Sequence, residues 1–239
     1  MTQRSRVIPA VAALLLLGVI LSACGGTPVA QNWPGLTVDG GTVYAISGSP
    51  QQVYMLDAET GLEKGVFTPP GTFEGLIYWS PVATGDDLAF VGFSAPQESI
   101  ANLYAFNPET GQELWHVPAE ELIIPAPVYA DGVVYFGDSA GFVYAVDVET
   151  QRVKPGWPFQ AEEAIWASVL VHEGRVYVAA QDHHLYCLDA ETGKVLWDYQ
   201  AGGAFAVQPV LNISNDTLYA GAFDGRLYAV NADSGQPVD

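Results

Sequence analysis

The chain has 239 residues, of which 49% are hydrophobic and 12% aromatic but only 15% charged, and its formal net charge at pH 7 is −19. This composition excludes an intrinsically disordered protein, because it supplies enough apolar surface for a substantial core. The negative charge excludes nucleic acid as a partner, since an acidic surface repels the phosphate backbone.

The first 23 residues have the layout of a secretory signal peptide. Arg4 and Arg6 precede an apolar run that ends at Ile20, and small residues follow in LSAC. The alternative is an uncleaved membrane anchor, but residues 7–23 are shorter than the roughly 20 apolar residues of a spanning helix. We expect residues 1–23 to be removed, which leaves a mature chain with a net charge of about −21.

The sequence LSAC resembles the lipobox of bacterial lipoproteins. The resemblance implies that Cys24 is lipidated, becomes the first mature residue and holds the protein on the extracytoplasmic side of a membrane. Residues 24–35, rich in glycine and proline, are then a flexible tether. Because only Cys187 remains, the sequence predicts no disulfide framework, and stability must come from packing.

Five near-copies of one motif occupy residues 36–239. They align on a tyrosine at successive steps of 50, 40, 42 and 42 residues, namely Tyr54, Tyr104, Tyr144, Tyr186 and Tyr228. We attribute the longer first step to a loop at residues 93–102. A period of 40 to 45 residues is typical of β-propeller blades.

Each unit has the pattern of four short strands. In the fourth, the runs ASVLV, RVYVAA, LYCLDA and KVLWDYQ alternate with turn residues, and apolar side chains recur at every second position. We therefore predict an all-β propeller of four-stranded antiparallel blades, with about five repeats present. Neighbouring sheets in such a fold stack radially and bury both faces.

The most repeated segment, DAETG in the fourth unit, joins the third and fourth strands. We expect Asp189 to accept hydrogen bonds from the backbone ahead of it, Gly193 to adopt a left-handed conformation, and Trp197 to pack across the neighbouring blade. The corresponding joint positions are Asp57, Thr60, Gly61, Asn107, Thr110, Gly111, Trp115, Asp147, Thr150, Trp157, Asp189, Thr192, Gly193, Trp197, Asn231 and Gly235.

These segments resemble the pyrroloquinoline-quinone-like repeat, whose pattern Ala-x-Asp-x-x-Thr-Gly-x-x-x-Trp places each tryptophan between blades. The third unit departs from it, because Gln151 replaces the glycine and Trp157 comes two residues late, which predicts a bulge. In the first unit Gly65 takes the tryptophan position, and Phe67 is the expected substitute.

The last unit ends before its fourth strand, because the tryptophan position falls on Asp239. Two arrangements remain open at this stage. Either the segment near QNWPGLTV supplies that strand and closes a small ring, or the ring is incomplete and belongs to a larger propeller.

The repeat family includes quinone-dependent dehydrogenases, but we assign no catalytic, cofactor-binding or metal-binding residue. Cys24 and Cys187 are too far apart to form the ring of adjacent cysteines that many of those enzymes have. Adjacent strand residues point to opposite faces, so His183 and His184 are interpreted as a polar turn and not as a metal site. The acidic residues recur with the repeat, which favours a structural role.

The resulting expectation is a non-catalytic, lipid-anchored scaffold that binds one or more proteins, as the propeller lipoprotein of the outer-membrane assembly machinery implies by resemblance. Loops on a rigid scaffold usually carry binding, so residues 93–102 and the Trp157 bulge are the first candidates. Two alternatives remain: a quinone- or metal-dependent oxidoreductase or its remnant, and a propeller that senses sugars or other small ligands.

Overall fold

The computed structural model describes residues 35–48, 50–73 and 78–238. Within them the chain forms strands and a single 3₁₀ turn, Pro96–Glu98, and no α-helix. Five antiparallel sheets follow one another along the chain, and each is built from consecutive strands. This confirms the predicted all-β propeller, and we call the sheets blades 1 to 5.

The strands have the following bounds. Blade 1 contains β1 Leu36–Asp39, β2 Thr42–Gly48, β3 Gln51–Asp57 and β4 Glu63–Phe67. Blade 2 contains β5 Tyr78–Trp79, β6 Ala83–Gly85, β7 Leu88–Ala95, β8 Ile100–Phe106 and β9 Glu113–Pro118. Blade 3 contains β10 Val128–Ala130, β11 Val133–Gly137, β12 Phe142–Asp147, β13 Arg152–Val153 and β14 Phe159–Gln160. Blade 4 contains β15 Leu170–His172, β16 Arg175–Ala179, β17 His184–Asp189 and β18 Val195–Gln200. Blade 5 contains β19 Val210–Asn212, β20 Thr217–Gly221 and β21 Leu227–Asn231.

The two faces of each inner blade are buried against different neighbours, as alternation along a strand requires. In β16, Val176 and Val178 pack in a cluster with blade 3, whereas Tyr177 and Ala179 pack in a cluster with blade 5. Similar clusters join blades 1 and 2 and blades 2 and 3. The core therefore consists of four consecutive joints between sheets.

The segment at residues 93–102 is not the loop that the sequence suggested. Strands β7 and β8 remain paired as far as Ala95 and Ile100, and only the 3₁₀ turn separates them. The side chains of Phe93 and Ala95 are fully buried. The extra residues therefore lengthen a hairpin, because their apolar side chains continue the alternating pattern of the strand.

The described part of the N-terminal segment belongs to blade 1 and does not supply an outer strand to blade 5. Leu36–Asp39 pairs with β2 of its own blade, and residues 31–34 of that segment lie outside the described residues. In blade 5 only an isolated bridge between Val230 and Pro237 extends the sheet beyond β21. Among the described residues, an incomplete ring is the arrangement observed.

The displaced tryptophan of blade 3 predicted a bulge, and at this place the outer strand is divided in two. Strands β13 and β14 both pair with β12, and Lys154 to Pro158 cross the gap between them. Trp157 lies in this gap and is only 7% exposed. The insertion thus moves the tryptophan out of the strand but leaves its side chain in the joint with blade 4.

Candidate interaction surface

The turns between the third and fourth strands lie together at one end of the blades, which we call the turn end. In blade 4, Asp189 Oδ1 accepts hydrogen bonds from the backbone nitrogen and the hydroxyl of Thr192, both at 2.7 Å. These hydrogen bonds lower the pKa of Asp189, and the bond from the Thr192 hydroxyl has the largest effect. The backbone nitrogen of Gly193 donates to Asp189 O at 2.9 Å and closes the turn.

The other four turns repeat this geometry. The first residue of each accepts a hydrogen bond from the backbone three residues ahead, and the pairs are Asp57 with Thr60, Asn107 with Thr110, Asp147 with Thr150, and Asn231 with Ser234. The closing residue has a positive φ in every case, 68° to 70° for Gly61, Gly111, Gly193 and Gly235, and 59° for Gln151. The backbone donors in these turns are consequently occupied.

The tryptophans of the repeat lie against the turns of the next blade. Trp197 Nε1 donates to Ala232 O of blade 5 at 3.0 Å, and a Cβ on Gly235 would come within 2.7 Å of the indole ring. A Cβ on Gly193 would likewise lie 3.2 Å from the ring of Trp157. The glycine position therefore provides both a left-handed turn and a flat surface for the preceding tryptophan.

The remaining joints use related contacts. Trp115 is 8% exposed and lies in the cluster that joins blades 2 and 3. In blade 1 Phe67 occupies the joint and stacks on Phe106 of blade 2, with ring centroids 4.6 Å apart. The residues singled out from the repeat thus lie at the turn end and in the joints.

The opposite end, which we call the linker end, carries the connections between blades and the hairpins between second and third strands. Here Asp138 is fully buried. Its Oδ2 atom accepts from Tyr144 Oη at 3.0 Å and from the backbone nitrogen of Glu120 at 3.2 Å. Burial raises the pKa of Asp138 despite these hydrogen bonds. The buried carboxylate thereby fastens the connection between blades 2 and 3.

Blades 4 and 5 contain the same carboxylate–tyrosine pair in more exposed form. Asp182 Oδ2 accepts from Tyr186 Oη at 2.7 Å and from the backbone nitrogen of Glu162 at 3.0 Å. Asp224 Oδ2 accepts from Tyr228 Oη at 2.5 Å. In blades 3, 4 and 5 the repeat tyrosine and its aspartate therefore form a carboxylate–tyrosine clasp at the linker end, whereas Tyr54 and Tyr104 hydrogen-bond with Gln52 and Asn102.

The connections themselves hold four exposed glutamates. Glu120 and Glu121 precede blade 3, and Glu162 and Glu163 precede blade 4. Exposed apolar side chains accompany them, with Ile124 at 36% and Trp166 at 46% exposure. We call these six residues the acidic rim: Glu120, Glu121, Ile124, Glu162, Glu163 and Trp166.

The acidic rim is supported from below by buried isoleucines. Ile123 and Ile165 are fully buried, and each fills the space above a strand glycine, since a Cβ on Gly92 or Gly137 would overlap it. Ile165 N also donates to Asp138 O at 2.9 Å. The rim side chains therefore project from a fixed backbone.

A cleft of about 420 Å³ adjoins the acidic rim. One wall is formed by Pro96, Ser99 and Ile100 of the lengthened hairpin, and the other by residues 119–122. The Ser139 hydroxyl donates to Glu121 Oε2 at 2.9 Å and orients that carboxylate. The cleft thus combines apolar walls with acidic groups.

The other candidate groups have simple surroundings. His184 Nδ1 lies 3.1 Å from Asp198 Oδ2, and its ring stacks on Tyr186, while His183 has a φ of 73° in the turn. Burial raises the pKa of the Cys187 thiol to about 12. No group of three or more His, Cys, Asp or Glu residues suited to a metal occurs among the described residues. In the same part of the chain, no helix is long and apolar enough to cross a membrane.

The sequence reasoning placed binding at residues 93–102 and at the Trp157 bulge, and it missed the glutamates. Pro96, Ser99, Ile100 and Ala101 do line the cleft, whereas Trp157 is buried in a joint. A signal for the rim was present, because AEELII at 119–124 recurs as AEEAIW at 161–166, at the repeat distance. Cys24, the expected lipidation site, lies outside the described residues.

Radially stacked meanders with these turns define a β-propeller of the pyrroloquinoline-quinone-like repeat type. The chain belongs to the family of outer membrane protein assembly factor BamB, whose sequence profile matches residues 99–239. No curated protein matches the chain at a significant level.

Solved structures share the fold at low identity. BamB from Moraxella catarrhalis superposes with a TM-score of 0.67 at 18% identity, over 87% of this chain and 60% of that one. The computationally designed protein Ika8 gives 0.67 at 18% identity, over 81% and 56%. The designed Ika4 gives 0.59 at 18% identity, over 72% of this chain and 99% of its own. The chain thus spans little more than half the length of the first two.

Proposed function

We propose that this protein is a non-catalytic scaffold in outer-membrane protein assembly that binds a protein partner through its acidic rim. The observation that carries the proposal is the exposure of four glutamates, Ile124 and Trp166 on a fixed backbone at the linker end. The assignment to outer-membrane protein assembly rests on the description of the family to which the chain belongs. The extracytoplasmic location and the lipid on Cys24 remain part of the proposal, supported by the N-terminal sequence.

The chemistry of the acidic rim favours a basic partner segment with apolar side chains. Tryptophan is among the residues that most often dominate binding energy at interfaces, and Trp166 stands exposed between acidic groups. The net charge of −19 would speed the encounter with a positively charged surface. Because the backbone beneath Glu120 and Glu162 is already fixed, binding would cost little conformational entropy.

The turn end is a poorer candidate. Its backbone donors are used within each turn, and its glycines and tryptophans are used between blades. A partner at that end would meet groups whose hydrogen bonds are already satisfied. This contrast makes the rim the better binding surface.

Site-specific cross-linking tests the proposal. A photoreactive residue at Glu163 should capture one specific protein in the native membrane, and the same residue at Glu149 of the turn end should not. The double substitution Glu162→Lys and Glu163→Lys should abolish that capture and lower the amount of folded outer-membrane proteins. Glu59→Lys with Glu149→Lys makes the same change of charge at the turn end and should leave both readouts unchanged.

Two results would overturn this assignment. Capture from the turn end alone would move the binding surface, and full assembly function in the rim variant would separate the rim from function. Lipidation is tested independently by the intact mass of the membrane-bound protein. Cys24→Ser should remove the mass of the acyl groups and release the chain from the membrane.

A further inference from the structure

A second cleft, of about 360 Å³, opens between blades 1 and 2 at the turn end. Its walls belong to two blades that the chain itself packs together. Lys64 is the only cation among the lining residues, and its Nζ atom donates to the Thr42 hydroxyl at 2.8 Å. The lining also includes four carboxylates, those of Asp39, Asp86, Asp87 and Glu109. The cleft therefore carries an excess of negative charge.

The third residue of the turn between the third and fourth strands is acidic in each of blades 2 to 5, and in two joints a cation of the preceding blade neutralises it. Glu191 of blade 4 pairs with Lys154 of blade 3 at 2.7 Å, and Asp233 of blade 5 pairs with Arg175 of blade 4. Glu109 has this position in blade 2, but it forms no ion pair with the described part of blade 1. The joint between blades 1 and 2 thus presents negative charge to which the described residues supply no paired cation.

Tyr44 gives an independent indication that the cleft receives a ligand. Its side chain lines the cleft and is only 3% exposed, yet its hydroxyl has no hydrogen-bond partner in the part of the chain that the structure describes. Tyr177 has the same position in the second strand of blade 4, and its hydroxyl donates to Ala232 O of blade 5 at 3.3 Å. Burial and then the charge of Asp39 raise the pKa of Tyr44, so the hydroxyl stays neutral beside that carboxylate. A nearly buried hydroxyl normally has a partner, and this one is available to a polar group that enters the cleft.

The spread of the carboxylates favours an organic cation over a metal ion. No group of three or more His, Cys, Asp or Glu residues among those described is suited to a metal, so the acidic groups do not converge on one point. The Thr84 hydroxyl donates to Asp39 Oδ2 at 2.9 Å and ties one of them to the opposite wall. A linear polyamine matches this arrangement, because its ammonium groups are separated by methylene chains and are charged at neutral pH. The volume of the cleft is within the range of about 300–1,000 Å³ that small-molecule sites have.

We propose that this cleft binds a small linear polyamine, with its ammonium groups against Asp39 and Glu109 and with the Tyr44 hydroxyl as an acceptor. Hydrogen bonds of this charge-assisted kind are about twice as strong as neutral ones. Lys64 limits the affinity, because its own ammonium group occupies part of the same negative field. The site is at the opposite end of the blades from the acidic rim and does not depend on the function proposed for the rim.

Isothermal titration calorimetry of the mature protein in detergent tests the proposal with spermidine as the probe. The titration is made in about 0.15 M salt, which screens the attraction of the exposed acidic surface. One spermidine should bind per chain, with a dissociation constant on the order of 10 to 100 μM. Tyr44→Phe removes only the hydroxyl and should weaken binding about tenfold. Lys64→Gln removes the competing cation and should strengthen binding about threefold.

Glu149→Gln is the matched control for Glu109→Gln, because Glu149 has the same turn position in blade 3 and does not line the cleft. Glu109→Gln should weaken binding about threefold, whereas Glu149→Gln should leave the dissociation constant unchanged. Far-ultraviolet circular dichroism identical to that of the wild type shows that the variants are folded.

Four results would overturn the proposal. These are no heat of binding with spermidine, an affinity that Tyr44→Phe does not change, and equal losses in the two glutamate variants, which would indicate a general attraction to the acidic surface. The fourth is tighter binding of Ca²⁺ than of spermidine, which would assign the cleft to a metal ion.

Discussion

The two ends of the blades solve the same structural problem in different ways. At the turn end, five nearly identical turns satisfy their own backbone and receive the tryptophans of neighbouring blades. At the linker end, a carboxylate–tyrosine clasp holds each of three connections. The turn end uses its repeated groups within the turns and between the blades, whereas the linker end leaves exposed side chains, including the four glutamates of the acidic rim, that no joint uses.

The two ends differ in how many contacts constrain each side chain. A turn residue such as Gly193 is constrained by its φ of 69° and by Trp157 beside it. A rim residue such as Glu163 is constrained only through the backbone beneath it. Substitution is therefore costly for the glycines and tryptophans of the turns and joints and inexpensive for the exposed side chains of the acidic rim, and the predictions below test this difference.

The largest expected difference in stability is between substitutions of two tryptophans, Trp157 in the joint between blades 3 and 4 and Trp166 in the connection between the same blades. Trp157→Ala should lower the free energy of unfolding by about 3–5 kcal/mol, because a large side chain leaves a buried joint. Trp166→Ala should change it by less than about 0.5 kcal/mol, since that side chain is 46% exposed. Urea denaturation followed by circular dichroism measures both.

The comparison would fail if both variants lost similar stability. Phenylalanine substitutions provide a control within the joints, because the Nε1 atom of Trp157 is buried without a hydrogen-bond partner among the described residues. Trp157→Phe should therefore cost less than Trp197→Phe, which loses the hydrogen bond to Ala232 O.

Alanine substitutions at two glycines with similar backbone conformations distinguish the cost of strain in a turn from the cost of a clash between blades. Gly111 and Gly174 have φ values of 70° and 72°, so alanine at either costs about 1–2 kcal/mol in a left-handed conformation. A Cβ on Gly111 would also overlap the carbonyl oxygen of Val66 in blade 1, whereas nothing lies near Gly174. Gly111→Ala should cost at least about 1 kcal/mol more than Gly174→Ala in thermal or urea unfolding. Equal losses of stability would mean that the contact between the Gly111 turn and blade 1 does not contribute to stability.

The architecture was accessible from sequence because it is periodic. Alternating apolar residues and a period near 42 predicted the blades, and the late position of Trp157 predicted a bulge where the structure has a divided outer strand. Periodicity also misled at residues 93–102, where an insertion between repeats suggested a loop. Only the pairing of Ala95 with Ile100 shows that the strands continue.

The candidate surface was less accessible. Glu120 and Glu162 are unremarkable in an acidic chain, and only their equal position above buried isoleucines distinguishes them. The role of Asp138 depended on the fold, because two of its donors, the backbone nitrogens of Glu120 and Glu121, come from a connection 18 and 17 residues away. Sequence patterns report strand faces well, but they do not report which exposed side chains share an end of the molecule.

The clasp at Asp138 holds the linker end together, so its loss should increase local opening at that end before it does so at the turn end. Asp138→Asn would direct an amide group at donors that need an acceptor and should cost about 1–3 kcal/mol. Tyr144→Phe removes one of these donors and should cost less, about 0.5–1.5 kcal/mol. Hydrogen exchange should increase in residues 119–124 of Asp138→Asn before it increases at the turns. Exchange that rises first at the turn end would contradict the separation of the two ends.

The smallest expected effect concerns pH and the turns alone. Hydrogen bonds from Thr60, Thr150 and Thr192 lower the pKa values of Asp57, Asp147 and Asp189 below 3.8. A lowered pKa in the folded state contributes stability above the unfolded value, and that stability is lost as pH falls through the folded value. Blades 2 and 5 already use asparagine at this position, as Asn107 and Asn231. Replacing the three aspartates with asparagine should therefore keep the fold at pH 7 and make the loss of stability between pH 4 and pH 2 shallower, because asparagine does not titrate. Urea midpoints measured across that range would contradict this account if the variant lost stability as steeply as the wild type.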